Sequence, residues 1–188
     1  MSDALMTPAS GRSWAFADLE DAPEDGFRYE IIDGSLLVTP PPGVGHQRIV
    51  TELAVALSLA APPDLLVLAG VGVATMQGQT NYFEPDVVVV DRNAAPEGDN
   101  KLDPQFVRLV IEVVSPSSRS IDEVLKRDAY ASMGLSSYWI VKPQDRITAY
   151  ELREGSYVET AAMSGTDALF EVDRPFPFLI HRSLLFPG

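Results

Sequence analysis

Two apolar runs decide how this chain folds: "EPDVVVVD" at residues 84–91 and "LVIEVVSPSS" at 109–118. The first carries four consecutive valines, an unbroken β-branched run of the kind a strand buried on both faces needs. It also keeps an acid, Asp86, at its mouth. The second is apolar throughout except for Glu112, near its end. If the two strands pair antiparallel, the start of one abuts the end of the other, and both carboxylates reach one sheet edge. The loop between them permits that pairing without requiring it. Alternation along the second strand sets Phe106, Arg108, Val110, Glu112 and Val114 on one face, with Val107, Leu109, Ile111 and Val113 on the other.

Outward from these runs, the pattern switches between strand and helix periods. "RYEIIDGSLLVT" reads as a hairpin with Asp33-Gly34 as its turn. A helix is expected from about His46 to Ala60, where Ile49, Val50, Leu53, Leu57 and Ala60 recur at helical spacing. A strand near Leu65–Val73 has its expected partner ending near Tyr82–Val90, and a third strand covers Phe106–Val114. A second helix spans about Ile121–Met133, opened by a Ser120/Glu123 capping box and stopped by Gly134. "SYWIVK" and "RITAYEL", joined by "PQD", read as strands, and "SYVET" as another. Residues 1–12 read as a loose tail and 92–105 as an exposed loop. The expectation is a single domain over 13–188, of mixed α/β (α+β) class, with a central mixed sheet flanked by helices.

With 188 residues, 46% of them hydrophobic and 22% charged, the chain suits one globular domain with a substantial core. It shows no apolar run long enough for a membrane helix and no secretory signal, so a cytoplasmic location is expected. The absence of cysteine excludes disulfides, thiolate metal sites and a thiol nucleophile. Fourteen basic residues against 27 acidic ones give a net charge of −13, which excludes a broad basic face for nucleic acid. The imbalance is uneven: residues 1–60 hold three basic and nine acidic side chains, residues 101–153 eight basic and seven acidic. Any contact with phosphates would draw on that second region, on bound metal ions or on a partner.

Two carboxylates held close in an apolar setting repel one another, and a divalent cation removes the conflict. Oxygen ligands without cysteine suit Mg²⁺ or Mn²⁺. The competing reading has Glu112 paired with Arg108 or another cation while Asp86 caps a turn, and the pattern alone leaves both open. Phosphodiester hydrolysis at such a metal also benefits from a nearby cation. A lysine two positions after Glu112 would share its face, but that position is Val114. The nearest suitable lysine is Lys126 on the following helix, beside the apolar stripe of Ile121, Leu125, Ala129 and Met133. It could lean back over the strand ends, or stand in solvent paired with Asp122.

The blocks "YEIIDGSLLVTPPPGVGHQRIV", "EPDVVVVD" and "LVIEVVSPSSRSIDEVLKRDAYASMGLSSYWIVKP" together resemble the bacterial Uma-two family, endonucleases of the restriction-endonuclease-like fold, over roughly residues 27–152. The resemblance implies a PD-(D/E)xK nuclease core in which Pro85-Asp86 and Glu112 match the two acidic parts of the signature. Val114 occupies the usual lysine position, and Lys126 matches a lysine displaced onto the helix. By the same resemblance the Val113 carbonyl is a candidate metal ligand, Glu30 matches an acid that supports the site, and His46 matches the histidine opening the first helix. Glu30 could instead face water, and His46 could be structural, since it keeps helical spacing with Ile49, Val50 and Leu53. Tyr130 and Trp139 read as core, although Tyr130 could hydrogen-bond near the site. The resemblance further implies a Mg²⁺- or Mn²⁺-dependent endonuclease acting on nucleic acid, DNA first, with paired active sites in a homodimer. Two rivals stand beside it: a nuclease-fold binding or assembly module with little turnover, and hydrolysis of a smaller phosphorylated substrate.

Overall fold

Val87–Val90 are each fully buried, and their strand lies second from one edge of a six-stranded sheet. The structure, a computed structural model, describes residues 4–6, 12–20, 22–74, 80–95, 101–115, 121–165 and 168–186. In chain order the first elements are β1 (Ala4–Met6), β2 (Arg28–Ile32), β3 (Ser35–Thr39) and α1 (Val44–Ala60). Next come β4 (Leu65–Ala69), β5 (Gly72–Ala74), β6 (Tyr82–Phe83), β7 (Val87–Asp91), β8 (Lys101–Leu102) and β9 (Val107–Val113). A π-helical turn (Ile121–Lys126) runs into α2 (Arg127–Ser132). The chain ends with β10 (Ser137–Lys142), β11 (Arg146–Arg153), β12 (Ser156–Met163), β13 (Leu169–Val172), β14 (Phe178–His181) and α3 (Arg182–Leu185).

The central sheet has the order β12-β11-β10-β9-β7-β4, with β9 and β10 parallel and its other pairs antiparallel. This is the mixed sheet expected from the sequence. On one face, α1 lays Ile49, Val50, Leu53 and Leu57 against Val87, Val89, Leu109, Ile111 and Val113, with Phe170, Phe178 and Ile180 of the β13–β14 hairpin beside it. On the other face, Val88, Val90, Val110, Val114, Tyr138 and Ile140 meet Ile32, Leu37, Val73 and Phe83 of the second sheet, together with Ala129 and Tyr130 of α2. That second sheet has the order β1-β3-β2-β6-β5-β8. Trp139 and Tyr138, adjacent in sequence, fall in the two opposite cores, as strand alternation demands.

Local signals behave as their chemistry requires. Asp33 and Gly34 both take positive φ (46° and 74°), the geometry of a type I′ hairpin turn between Ile32 and Ser35. Gly134 (φ 76°) ends α2, its N–H donating to the Ala131 carbonyl while Leu135 N–H donates to Tyr130, a Schellman stop.

Several expectations need correction. The segments 65–73 and 82–90 do not form one long hairpin: β4 pairs with β7, but β5 and β6 leave for the second sheet. The departures fall at Gly70, which has positive φ, and at Pro85. Val107 joins the Val110 face rather than the Leu109 face, because the register slips between Val89 and Val90 and leaves Arg108 unpaired in the β7 ladder. In the second helix, Leu125 is 42% exposed while Lys126 is 3% exposed. The π turn winds one residue more per turn than an α-helix, and this brings Lys126 onto the buried side in place of Leu125, alongside Tyr130 and the expected Ala129, with Met133 partly buried against the same core. The expected tail contains β1, which pairs with β3, and the loop 92–105 contains β8, which pairs with β5. The β13–β14 hairpin had no expectation attached to it. The Ser120 capping box lies outside the described residues. Among those residues no helix is long and apolar enough to cross a membrane.

The packing of α1 predicts a sharp contrast within one helix. Leu53→Ala, at a fully buried position, is expected to cost about 3 kcal/mol in urea unfolding. Leu59→Ala, at a position 85% exposed, is expected to stay within about 0.5 kcal/mol of the parent.

Candidate active site

The antiparallel register of β7 and β9 pairs Val87 with Ile111, which sets Asp86 beside the end of β9, where Glu112 stands. The Val113 N–H points to the same side and donates to Asp86 Oδ2 at 2.8 Å. The chain reaches Asp86 from β6 through Glu84 and Pro85, so this short corner joins the two sheets. At that corner the Glu84 N–H donates to Glu30 Oε1 at 2.8 Å. Strand alternation puts Arg28 and Glu30 on one face of β2, and both turn toward the acids. His46 extends the buried face of α1 by one turn and ends 3.1 Å (Nε2) from Asp86 Oδ2.

Lys126 closes the arrangement. Its ammonium donates to Glu30 Oε1 at 2.9 Å and to Glu112 Oε1 at 3.1 Å. The Tyr130 hydroxyl, one helical turn on, donates to the same Glu112 oxygen at 2.7 Å. Arg28 Nη1 donates to Asp86 Oδ1 at 3.1 Å. Glu30, Asp86, Glu112 and Lys126 are each 3% exposed or less, so this is an ion cluster inside the protein. Burying such charges costs several kcal/mol per ion, and only mutual pairing with complete hydrogen bonding offsets it.

The titration behaviour follows from the same contacts. Burial alone would raise the Asp86 carboxyl, but the His46 hydrogen bond, the Arg28 charge and the Val113 N–H outweigh it and hold the group below the ordinary aspartate value. Burial would likewise lower the Arg28 guanidinium, yet Asp86, Glu30 and Glu112 hold it above its usual value. Burial, then the charges of Glu112 and Glu30, push the Tyr130 phenol far up, so it remains a donor. Burial also raises the Glu84 carboxyl.

The cluster opens on a pocket of about 180 Å³ whose walls include Arg28, Glu30, His46, Asp86, Glu112 and Lys126, with Val113 and a Pro40–Pro42 rim. Three buried carboxylates, Glu30, Asp86 and Glu112, gather here with Arg28 and Lys126 as their cations. This donor set fits a hard divalent cation. Among the described residues no group of three or more His, Asp or Glu side chains is arranged as a ready-made metal cage. A site built on Asp86 and Glu112 would therefore depend on a backbone carbonyl, water and a ligand's own oxygens, as Mg²⁺ sites commonly do.

All five side chains singled out from the sequence, Glu30, His46, Asp86, Glu112 and Lys126, line this pocket, and Val113 joins them. Arg108 does not pair with Glu112; it pairs with Asp91 at the far end of β7. Trp139 is core, while Tyr130 is both core and a partner of Glu112. The sequence reading passed over Arg28. Its one signal was the i, i+2 spacing to Glu30, which places both on the same side of a strand.

Two consequences are measurable. Lys126→Met leaves Glu30 and Glu112 buried without their cation and is expected to cost roughly 3–5 kcal/mol in unfolding free energy. Adding Glu30→Gln should restore part of that loss, and strict additivity of the two changes would contradict the pairing. Because the folded Asp86 pKa lies below its unfolded value, its ionisation contributes stability that is complete above about pH 4. That contribution disappears as pH falls through the folded value. Urea midpoints recorded from pH 7 to pH 3 should show the gap between parent and Asp86→Asn narrowing only on the acid side.

Comparison with known proteins places the chain. The family model Uma2, described as "Putative restriction endonuclease", matches residues 16–180. The fold is similar to that of a crystal structure described as a putative nuclease belonging to DUF820 from Anabaena variabilis, with a TM-score of 0.65 at 17% identity, covering 84% of this chain and 88% of that one. NucC of P. aeruginosa in its cAAA-bound form matches more distantly, with a TM-score of 0.36 at 13% identity over 62% of this chain and 80% of that one, and adds no argument. No curated protein sequence matches. With the matched region spanning residues 16–180, nearly the whole fold, the chain belongs to the Uma2 family, described as putative restriction endonucleases.

Proposed function

We propose that this protein is a metal-dependent nuclease that hydrolyses phosphodiester bonds of nucleic acid, DNA in the first instance. The observation that carries the reading is the convergence of Asp86 and Glu112 at the meeting ends of β7 and β9, beneath an open pocket and with the Lys126 ammonium 3.1 Å from Glu112. Asp86, Glu112 and the Val113 carbonyl would hold Mg²⁺ or Mn²⁺, which when bound lowers the pKa of water and polarises a phosphoryl oxygen.

The chain's own residues supply the remainder. Asp86, ionised well below neutral pH, stays available as an anionic ligand throughout the working range. Tyr130 and Lys126 converge on one Glu112 oxygen and fix the carboxylate's orientation. Lys126 also ties Glu112 to Glu30, so the ammonium is positioned to steady negative charge that develops near Glu112. His46 holds Asp86 Oδ2 from the α1 side and orients it. The pocket admits a phosphate group and its neighbours, whereas a duplex would have to lie across its mouth. Cutting both strands of a duplex at one locus would then require two copies of the chain.

The excess of acid favours a second reading, a nuclease-fold binding module with little turnover, because a net charge of −13 opposes unaided capture of a polyanion. Incubation of supercoiled plasmid and of single-stranded DNA with Mn²⁺ or Mg²⁺ separates the two. The nuclease reading expects cleavage that chelator abolishes and that falls about a hundredfold or more in Asp86→Asn, Glu112→Gln and Lys126→Ala. Undiminished cleavage in the Asp86 or Lys126 variants would overturn the assignment. Absence of cleavage, with nucleic acid bound equally by the parent and the Asp86 variant, would favour the module.

A further inference from the structure

The pocket's two basic side chains are not equivalent. Lys126 has a side chain 4% exposed and lies between two carboxylates, committed to partners within the chain. Arg28 has a side chain 22% exposed and one hydrogen bond, from Nη1 to Asp86 Oδ1, with Glu84 Oε2 3.8 Å from its Nε. The other guanidinium N–H groups make no hydrogen bond among the described residues, and they lie along the pocket wall. Asp86 distributes its two oxygens unequally. Oδ2 takes the Val113 N–H, fixed by the strand, and faces His46. Oδ1 takes only Arg28. A divalent cation approaching Asp86 would meet a guanidinium on the one oxygen that backbone and helix leave free.

We infer that Arg28 is an exchangeable counter-ion of Asp86: it occupies Oδ1 until a divalent cation binds, and its displaced guanidinium then takes phosphate oxygens of the substrate. The inference rests on the metal-dependent reading above. Its chemistry is simple. Two cations at close range on one carboxylate oxygen repel each other, so the incoming divalent ion weakens the hold of the singly charged, tethered one. Arg28 is anchored on β2 and lines the pocket, so that opening is the space available to it. The planar fork of a guanidinium matches two phosphate oxygens, which a point-charge ammonium does not. The first turn of α1, which forms part of the same wall, carries no acid to repel an anion.

The inference predicts opposite signs in one variant. Arg28→Gln should bind Mn²⁺ about tenfold more tightly than the parent in calorimetric titration, since a competing charge-assisted hydrogen bond is gone. Inorganic phosphate should tighten Mn²⁺ binding to the parent and lose that effect in Arg28→Gln, because coupling between two ligands is reciprocal. Arg28→Lys, which keeps the charge but not the fork, should bind Mn²⁺ like the parent and show weakened phosphate coupling. Unchanged Mn²⁺ affinity in Arg28→Gln, with binding still abolished by Asp86→Asn, overturns the inference and leaves the nuclease reading standing. No Asp86-dependent Mn²⁺ binding in the parent overturns both.

Discussion

Charge buried in an apolar interior must be met by charge, and that constraint organises this molecule. β7 and β9 are apolar because both their faces are covered, each buried valine contributing roughly 2 kcal/mol. At their meeting ends the same strands carry Asp86 and Glu112, whose burial costs an amount of the same order per ion. The compensation arrives from elsewhere: Arg28 from β2, His46 from α1, Lys126 from the π turn. No single element can satisfy the cluster, so it forms only when the second sheet and both helices dock on the central sheet. The site therefore also fastens the three layers together.

The sequence made some of this legible and hid the rest, for identifiable reasons. Valine runs, alternation and the spacing of Ile49, Val50, Leu53 and Leu57 are local signals, and the strands and helix they implied formed within a few residues of the expected bounds. The meeting of Asp86 with Glu112 followed from one added assumption, antiparallel pairing, which holds. Arg28 stayed hidden because its partnership depends on how the second sheet sits across the first, and nothing in "FRYE" encodes that docking. The split of 65–90 between two sheets was masked because residues 65–74 read as one apolar run, broken only by Gly70 and Gly72, and Pro85 is all that separates β6 from β7 besides two acids. The slip at Val89/Val90 turns Val107 over, and a bulge of that kind leaves no mark in an apolar pattern.

The proposed phosphodiester substrate would have to be reconciled with the chain's acidity locally rather than globally. The pocket gathers Arg28 and Lys126 among three carboxylates within a chain of net charge −13, and its rim is a run of three prolines, which supplies shape without adding charge. A polyanion would meet repulsion over most of the surface, and because Glu30, Asp86 and Glu112 outnumber Arg28 and Lys126 at the opening, attraction there would depend on a bound divalent cation. A chain of this charge gains little from general attraction to nucleic acid, so on the proposed reading contacts inside the opening would carry most of the discrimination.

The wide turn at Ile121–Lys126 sets how freely the chain may vary around its chemistry. Asp86 and Glu112 are pinned by strand pairing, where a slip of one residue would turn a side chain to the opposite face. The lysine hangs from a coil holding one residue more than an ordinary helical turn. A relative that dropped one residue there could still deliver an amine to the same spot from a tighter spiral. The two acids thus have addresses dictated by strand register, whereas the lysine's place along the chain is dictated only by how its turn winds.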